Sequence, residues 1–284
     1  MIVFPNCKIN LGLRILRKRI DGYHDLETIF YPLPFYDVLE IIPNTGNEMP
    51  DSGNKSDTSS ILFSGTGLLI DGNVTENLCV KAWHLLKKDF PQLPEIQMHL
   101  HKAIPTGAGL GGGSADAAYT LRLLNKQFQL NLSTEQLLNY SMQLGSDCPF
   151  FIIDKPCFAT GRGEIMEPVT INLSAYKLFI VNPGIHINTA KAFSGITPAL
   201  PCKSVKEIIQ QPVTTWKNEL INDFEKNIFI DHPEIDAIKK KLYDCGALYA
   251  SMTGSGSTVY GILEKDKIIK PGFPAGYFIK ELIS

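Results

Sequence analysis

The chain has no C-x-x-C pair, no Gly-Lys dipeptide, no excess charge of either sign, and no apolar run as long as a membrane-spanning helix needs. Each absence removes a class of function. The six cysteines, Cys7, Cys79, Cys148, Cys157, Cys202 and Cys245, stand singly, so neither a zinc ligand set nor a disulfide framework is indicated and reduced thiols are expected. Without Gly-Lys there is no G-x-x-x-x-G-K-[ST] loop. A formal net charge of -2 leaves no electrostatic footprint for nucleic acid or a membrane surface. The opening MIVFPNCKINLGL lacks the charged start and long apolar segment of a signal peptide, so a cytoplasmic location is expected. What is present is an ordinary globular composition: 284 residues, 44% hydrophobic and 20% charged. That is room for one large or two ordinary domains, with small-molecule chemistry as the default.

Along the chain, CKINLGLRI alternates as a strand, with Ile9, Leu11, Leu13 and Ile15 on one face and Lys8, Asn10, Gly12 and Arg14 on the other. DVLEII is a second short strand. The almost wholly polar stretch from Pro43 to Ser60 reads as a mobile connection without a function. ENLCVKAWHLLKKDF predicts a helix, and EIQMHLHKAI a strand closed by Pro105. LSTEQLLNYSMQLG predicts a helix with Ser133 and Gln136 as its capping box and Gly145 as its stop, after which GSDCPFFI is expected to enter a strand. Beyond about residue 165, YKLFIVNP and STVYGIL read as strands and EIDAIKKKLYDCG as a helix ending at Gly246. An α+β chain of two domains, 1-164 and 165-284, is expected.

Between these segments lies IPTGAGLGGGSADAAYTLRLL, with five glycines between Gly107 and Gly113 directly ahead of a helical pattern at Ala117, Leu121 and Leu124. Glycine lets backbone N–H groups converge on a ligand, and a helix start adds unpaired N–H groups and the positive dipole end. Together they point to an anion site, most naturally for phosphates. Gly107, Gly109 and Gly112 fit G-x-G-x-x-G, but a second helix follows where a dinucleotide site needs a strand ending in an acidic residue. A dinucleotide fold is left as a distant alternative.

PTGAGLGGGSADAA resembles the second motif of the GHMP kinase superfamily, and ASMTGSGSTVYGIL its third. With PNCKINLGLRILRKRIDGYHDLETIF ahead of them, the resemblance runs in order from residue 2 to about 263. It implies a two-domain α+β GHMP kinase fold with the active site between the domains. It further implies transfer of the ATP γ-phosphoryl group, with Mg2+, to the 2-hydroxyl of a diphosphocytidyl methylerythritol on the non-mevalonate route to isoprenoids. Lys8 and Asp147 would be the catalytic pair: Asp147 accepts the hydroxyl proton, and Lys8 keeps it ionised and stabilises the developing charge. Whether Asp147 is a true base or an electrostatic guide stays open, because a loose transition state needs little deprotonation.

The same resemblance implies phosphate contacts along Pro105, Thr106, Gly107, Ala108, Gly109, Leu110, Gly111, Gly112, Gly113, Ser114 and Ala115, with Asn77 and Leu78 near the adenine. Ser114 is the candidate for Mg2+, and Ala115 stands where the family usually has a second serine. Asn10, Tyr23, His24, Thr189, Phe193, Gly254, Ser255 and Gly256 would bind the substrate, Tyr23 and Phe193 enclosing the cytosine while His24 reads its edge. Cys7 and Cys148 flank the catalytic pair and are expected to pack as small hydrophobes. The alternatives are a homoserine or mevalonate type of GHMP kinase, against which R-x-D-G-Y-H-x-L speaks, and a non-catalytic ligand sensor, against which retention of Lys8 and Asp147 speaks. The expected partners are small molecules, with no nucleic acid and no membrane, in a monomer or homodimer.

Overall fold

A computed structural model describes residues 1–44, 56–58, 61–70, 72–269 and 272–283. Its strands are β1 (Ile2–Val3), β2 (Asn6–Lys18), β3 (His24–Tyr36), β4 (Val38–Pro43), β5 (Ser56–Thr58), β6 (Ile61–Gly67), β7 (Ile96–Lys102), β8 (Cys157–Thr160), β9 (Ile165–Pro168), β10 (Tyr176–Asn182), β11 (Tyr249–Met252), β12 (Val259–Glu264) and β13 (Phe278–Ile283). The α-helices are α1 (Leu78–Asp89), α2 (Gly112–Gln127), α3 (Thr134–Leu144), α4 (Cys148–Ile153), α5 (Thr189–Ser194), α6 (Val205–Ile208), α7 (Glu225–Asp231) and α8 (Pro233–Asp244). The chain divides into two compact units. One comprises Met1–Cys7, Phe35–Thr106 and Gly111–Asp154, the other Lys8–Pro34, Gly107–Leu110 and Lys155–Ser284. Among the described residues no helix is long and apolar enough to cross a membrane.

The first unit is built on a sheet ordered β1-β4-β7-β6-β5, in which β6 and β7 run parallel and the other neighbours antiparallel. Period-two alternation buries Leu39 and Ile41 of β4, Ile61 and Phe63 of β6, and Ile96, Met98 and Leu100 of β7. Trp83 and Leu86 of α1 and Ala117, Ala118, Leu121 and Leu124 of α2 are buried too, and α1 and α2 pack together. Each large apolar side chain so buried contributes about 1.5–3 kcal/mol. The Ser133–Gln136 capping box forms and Gly145 ends α3, as the sequence predicts.

The strand expected at GSDCPFFI is instead the short helix α4, with Asp147 at its N-cap. Pro149 sits in the first turn, where its missing N–H is not needed, and the run buries Phe150 and Phe151 edge-to-face at 5.0 Å. The apolar run met a packed helical bed, and the strand waits until Cys157. Of the polar stretch read as a mobile connection, residues 45–55 and 59–60 lie outside the described residues, while β5 pairs antiparallel with β6.

The second unit holds two sheets, ordered β2-β3-β8-β9 and β11-β12-β10-β13. Its core joins Leu13 and Ile15 to Val181, Phe224, Ile235, Leu242, Met252 and Val259. The helix predicted over EIDAIKKKLYDCG is α8, followed by Gly246 at φ 92°. β2 departs from its expected two-faced character, since Lys8 and Asn10 are buried along with Ile9 and Leu11. Its polar face is covered by glycine-rich loops of the same unit.

Candidate active site

In the second unit the two glycine loops meet the polar face of β2. The Lys8 amide donates to the Leu110 carbonyl at 2.9 Å, and the Asn10 amide donates to Thr253 Oγ1 at 3.1 Å. Thr253 Oγ1 in turn lies 3.0 Å from the Gly109 carbonyl oxygen and 3.2 Å from Asn10 Oδ1. Asn10 Oδ1 also accepts from the Lys8 ammonium at 2.6 Å, while Asn10 Nδ2 donates to Thr28 Oγ1. A 3%-exposed lysine is thus held by hydrogen bonds on a rigid strand, 5.0 Å from the Phe30 ring centroid. Asn222 Nδ2 pins the 253–257 loop by donating to the Met252 and Gly254 carbonyls, and Asn182 Nδ2 does so through Ser257 and Thr258. Gly109 is bare for a reason internal to the protein: at φ 77°, a Cβ would stand 2.2 Å from the Thr253 carbonyl oxygen.

In the first unit α2 starts after Gly111, a left-handed N-cap at φ 72° that offers no side-chain hydrogen bond. The N–H groups of Gly112, Gly113 and Ser114 open the helix there, with the dipole behind them. A cavity of about 360 Å³ adjoins this helix start, lined by Gly113, Thr106, Asn77, Leu78, Lys102 and Asp116 and by an apolar wall of Phe63, Leu68, Ile70, Val74 and Leu100. Asn77 and Leu78, expected near an adenine, line it; Asn77 caps α1 by accepting from the Cys79 amide at 2.9 Å. Pro105 is half-buried, Thr106 and Gly107 are exposed, and Ala108, Leu110 and Ala115 are buried. Asp147, half-buried, heads α4, and the Ser114 side chain lies close to the Cys148 thiol beside it. Burial pushes that thiol up to about 12, with the Asp147 charge adding to the effect, so Cys148 is an inert packing group. Cys7 is likewise buried. Lys8 belongs to the second unit and Asp147 to the first.

The residues expected to read a base all lie in the second unit. His24 and Phe193 stack, their centroids 5.1 Å apart and their planes at 19°, and Phe224 meets Phe193 edge-on at 4.9 Å. Tyr23 is 52% exposed and carries the Arg162 guanidinium 3.9 Å over its ring. Burial and the neighbouring Lys18 lower the His24 pKa, favouring a neutral imidazole able to donate from one nitrogen and accept at the other. Thr189 Oγ1 and Ser255 Oγ are 3.0 Å apart, and Gly254 and Gly256 have φ of 57° and 97°.

Sequence reasoning missed a buried charge cluster, Lys102 with Asp37 and Asp116. The Lys102 ammonium bonds both carboxylates, at 2.8 Å to Asp116 Oδ2. Burial works against that ammonium, yet the two carboxylates hold its pKa above the ordinary lysine value. The signal was available: Lys102 continues the buried register Ile96, Met98, Leu100, a position where a lysine needs partners. Arg162 carried no comparable signal. Among the described residues no group of three His, Cys, Asp or Glu side chains could hold a metal ion.

Comparison with known proteins finds relatives of this chain in sequence and in fold. The GHMP kinases N terminal domain family matches residues 77–155, and the GHMP kinases C terminal family residues 206–270. A Bacteroides fragilis protein named 4-diphosphocytidyl-2-C-methyl-D-erythritol kinase is 50% identical over 278 residues, covering 98% of this chain and 97% of that protein. One of the same name from Cytophaga hutchinsonii is 46% identical over 263 residues, 92% of each chain. A crystal structure of 4-(cytidine 5'-diphospho)-2C-methyl-D-erythritol kinase superposes with a TM-score of 0.73 at 28% identity, covering 92% of this chain and 90% of that one. The fold is also that of Methanococcus jannaschii mevalonate kinase, with a TM-score of 0.65 at 13% identity over 94% of this chain and 92% of that one.

Proposed function

The chain belongs to the 4-diphosphocytidyl-2-C-methyl-D-erythritol kinases of the GHMP family, and on that footing we propose that it transfers the γ-phosphoryl group of ATP to the 2-hydroxyl of 4-diphosphocytidyl-2-C-methyl-D-erythritol, a step in isoprenoid precursor synthesis. The observation that carries the reading is the start of α2: three helix-opening N–H groups, no side-chain cap, and a cavity with an apolar wall beside them. Phosphate oxygens suit those N–H groups, and a flat apolar base suits the wall. The 2-hydroxyl oxygen attacks the γ-phosphorus, the bond from that phosphorus to the β-bridging oxygen breaks, and ADP leaves. Asp147 takes or orients the hydroxyl proton, and the buried Lys8 ammonium supplies positive charge to the transferring group.

Mg2+ fits this donor set in one way. With no three-ligand protein cluster among the described residues, the ion would be held mainly by phosphates and water, with the hydroxyl of Ser114, in the first turn of α2, as the protein oxygen we assign to it. It would offset phosphate charge. His24 and Phe193, with Tyr23 nearby, are the group we assign to the cytosine, and the protein would act in the cytoplasm on small molecules alone. The test is a coupled assay for ADP release with 4-diphosphocytidyl-2-C-methyl-D-erythritol, run beside homoserine and mevalonate. Turnover restricted to the first supports the reading, and turnover on another acceptor or none at all defeats it.

A further inference from the structure

Beside the helix start is a polar atom that phosphate binding does not use. Asp37 is fully engaged, its Oδ1 accepting from the Ala103 amide at 2.6 Å and the Ile104 amide at 2.8 Å and its Oδ2 from Lys102. Asp116 shares that ammonium through Oδ2, while its Oδ1 is buried and accepts no hydrogen bond. The residue is 2% exposed, yet it lines the cavity together with Lys102, Asn77 and Gly113. A buried acceptor without a donor costs about 1–3 kcal/mol, so an occupant that brings an N–H or O–H to this oxygen is favoured.

Hydrogen-bond chemistry decides which part of the occupant that is. Asp116 Oδ1 is an acceptor beside the Lys102-bound Oδ2, so it disfavours a phosphate oxygen, itself an acceptor, and welcomes a donor. At neutral pH the triphosphate of ATP presents acceptors, so its donors are the adenine 6-amino group and the two ribose hydroxyls. We propose that Asp116 is a nucleotide-recognition residue whose Oδ1 accepts a hydrogen bond from the nucleoside part of ATP, either the 6-amino group or a ribose hydroxyl. The inference rests on the kinase reading for the identity of the occupant. Where the donor is the 6-amino group, the carboxylate is selective as well, because guanine places a carbonyl oxygen there and two acceptors facing each other repel.

The test compares the whole chain with its Asp116→Ala and Asp116→Asn variants. Asp116→Ala leaves Lys102 paired one-to-one with Asp37, so a folded variant is expected. The nucleotides are ADP, purine riboside diphosphate (which lacks the amino group), 2'-deoxy-ADP and 3'-deoxy-ADP, with dissociation constants from calorimetry and, for the triphosphates, kcat/KM. The wild type should prefer the parent nucleotide over one analogue by about 10-fold or more, and that analogue identifies the donor. In Asp116→Ala this preference should fall to within about 3-fold of unity, while Asp116→Asn, which keeps an acceptor oxygen, should retain part of it. Binding without turnover in the wild type would count against the kinase reading while still judging Asp116 by affinity. Nucleotide binding with identical preferences in the wild type and Asp116→Ala would overturn the proposal, because a proton shared with the adjoining Asp37 carboxylate would then satisfy Oδ1 without a ligand.

Discussion

Replacing Gly113 by alanine separates a glycine kept for a ligand from one kept for the fold. Gly113 is the second residue of α2 and lines the cavity, and a Cβ built on it meets no heavy atom within 4 Å. The protein alone should welcome the methyl group. Alanine exceeds glycine in a helix by roughly 0.5–1 kcal/mol, which for a chain of this size raises Tm by roughly 1–4 °C. A phosphate seated on the Gly112, Gly113 and Ser114 N–H groups would be pushed outward. Losing one charge-assisted hydrogen bond costs about 1.5–3 kcal/mol, a roughly 10- to 150-fold rise in the Kd of a non-hydrolysable ATP analogue. Gly109→Ala is the contrast. Its methyl group would meet the Thr253 carbonyl oxygen at 2.2 Å, so this variant should lose about 1–3 kcal/mol or more of stability. Calorimetric titration and thermal melts on both variants give the answer. Gly113→Ala binding the analogue as tightly as the wild type would remove the helix start as the phosphate site.

Asp147→Asn should lower kcat by at least about 10²-fold with near-normal ATP binding, and near-normal turnover would take Asp147 out of the mechanism. His24→Ala should reduce kcat/KM for the cytidine substrate by roughly 10-fold or more and narrow its advantage over a uridine analogue; equal losses on both would make His24 a support for Phe193 and not a reader of the base. A thiol reagent at pH 8 should modify exposed Cys202 quickly and reach Cys148 and Cys157, whose burial raises them to about 12 and about 11, only after unfolding. Rapid native-state labelling of Cys148 would contradict its packing role. For Asp116, burial raises the carboxyl from an unfolded value of 3.8 to about 7, against the pull of Lys102. The native state therefore holds a proton that the unfolded chain has released, and the stability this gives is complete below 3.8 and lost as pH rises through about 7. The Tm of Asp116→Asn minus that of the wild type should rise between pH 5 and pH 8, and a flat or falling difference would refute the raised value.

The sequence by itself determined what depends on neighbours along the chain. The Ser133–Gln136 box, the stop at Gly145, the alternation of β7 and the glycine run ahead of α2 are legible because caps, periodicity and glycine's freedom act within a few residues. So was the family, carried by short motifs that keep their order. Tertiary structure decided the rest. An apolar run such as CPFFII can satisfy a strand or a buried helix, and only the surrounding helices of its unit made it α4. Lys8 reads as a lysine on a polar strand face until the folded loops cover it. Lys102 meets Asp37 across 65 positions and Asp116 across 14, and nothing local to any of the three says that they will share one ammonium. A buried charge is tolerated only where the fold brings its partners, so their meeting, and the oxygen it leaves unsatisfied, belong to the fold and not to any stretch of sequence.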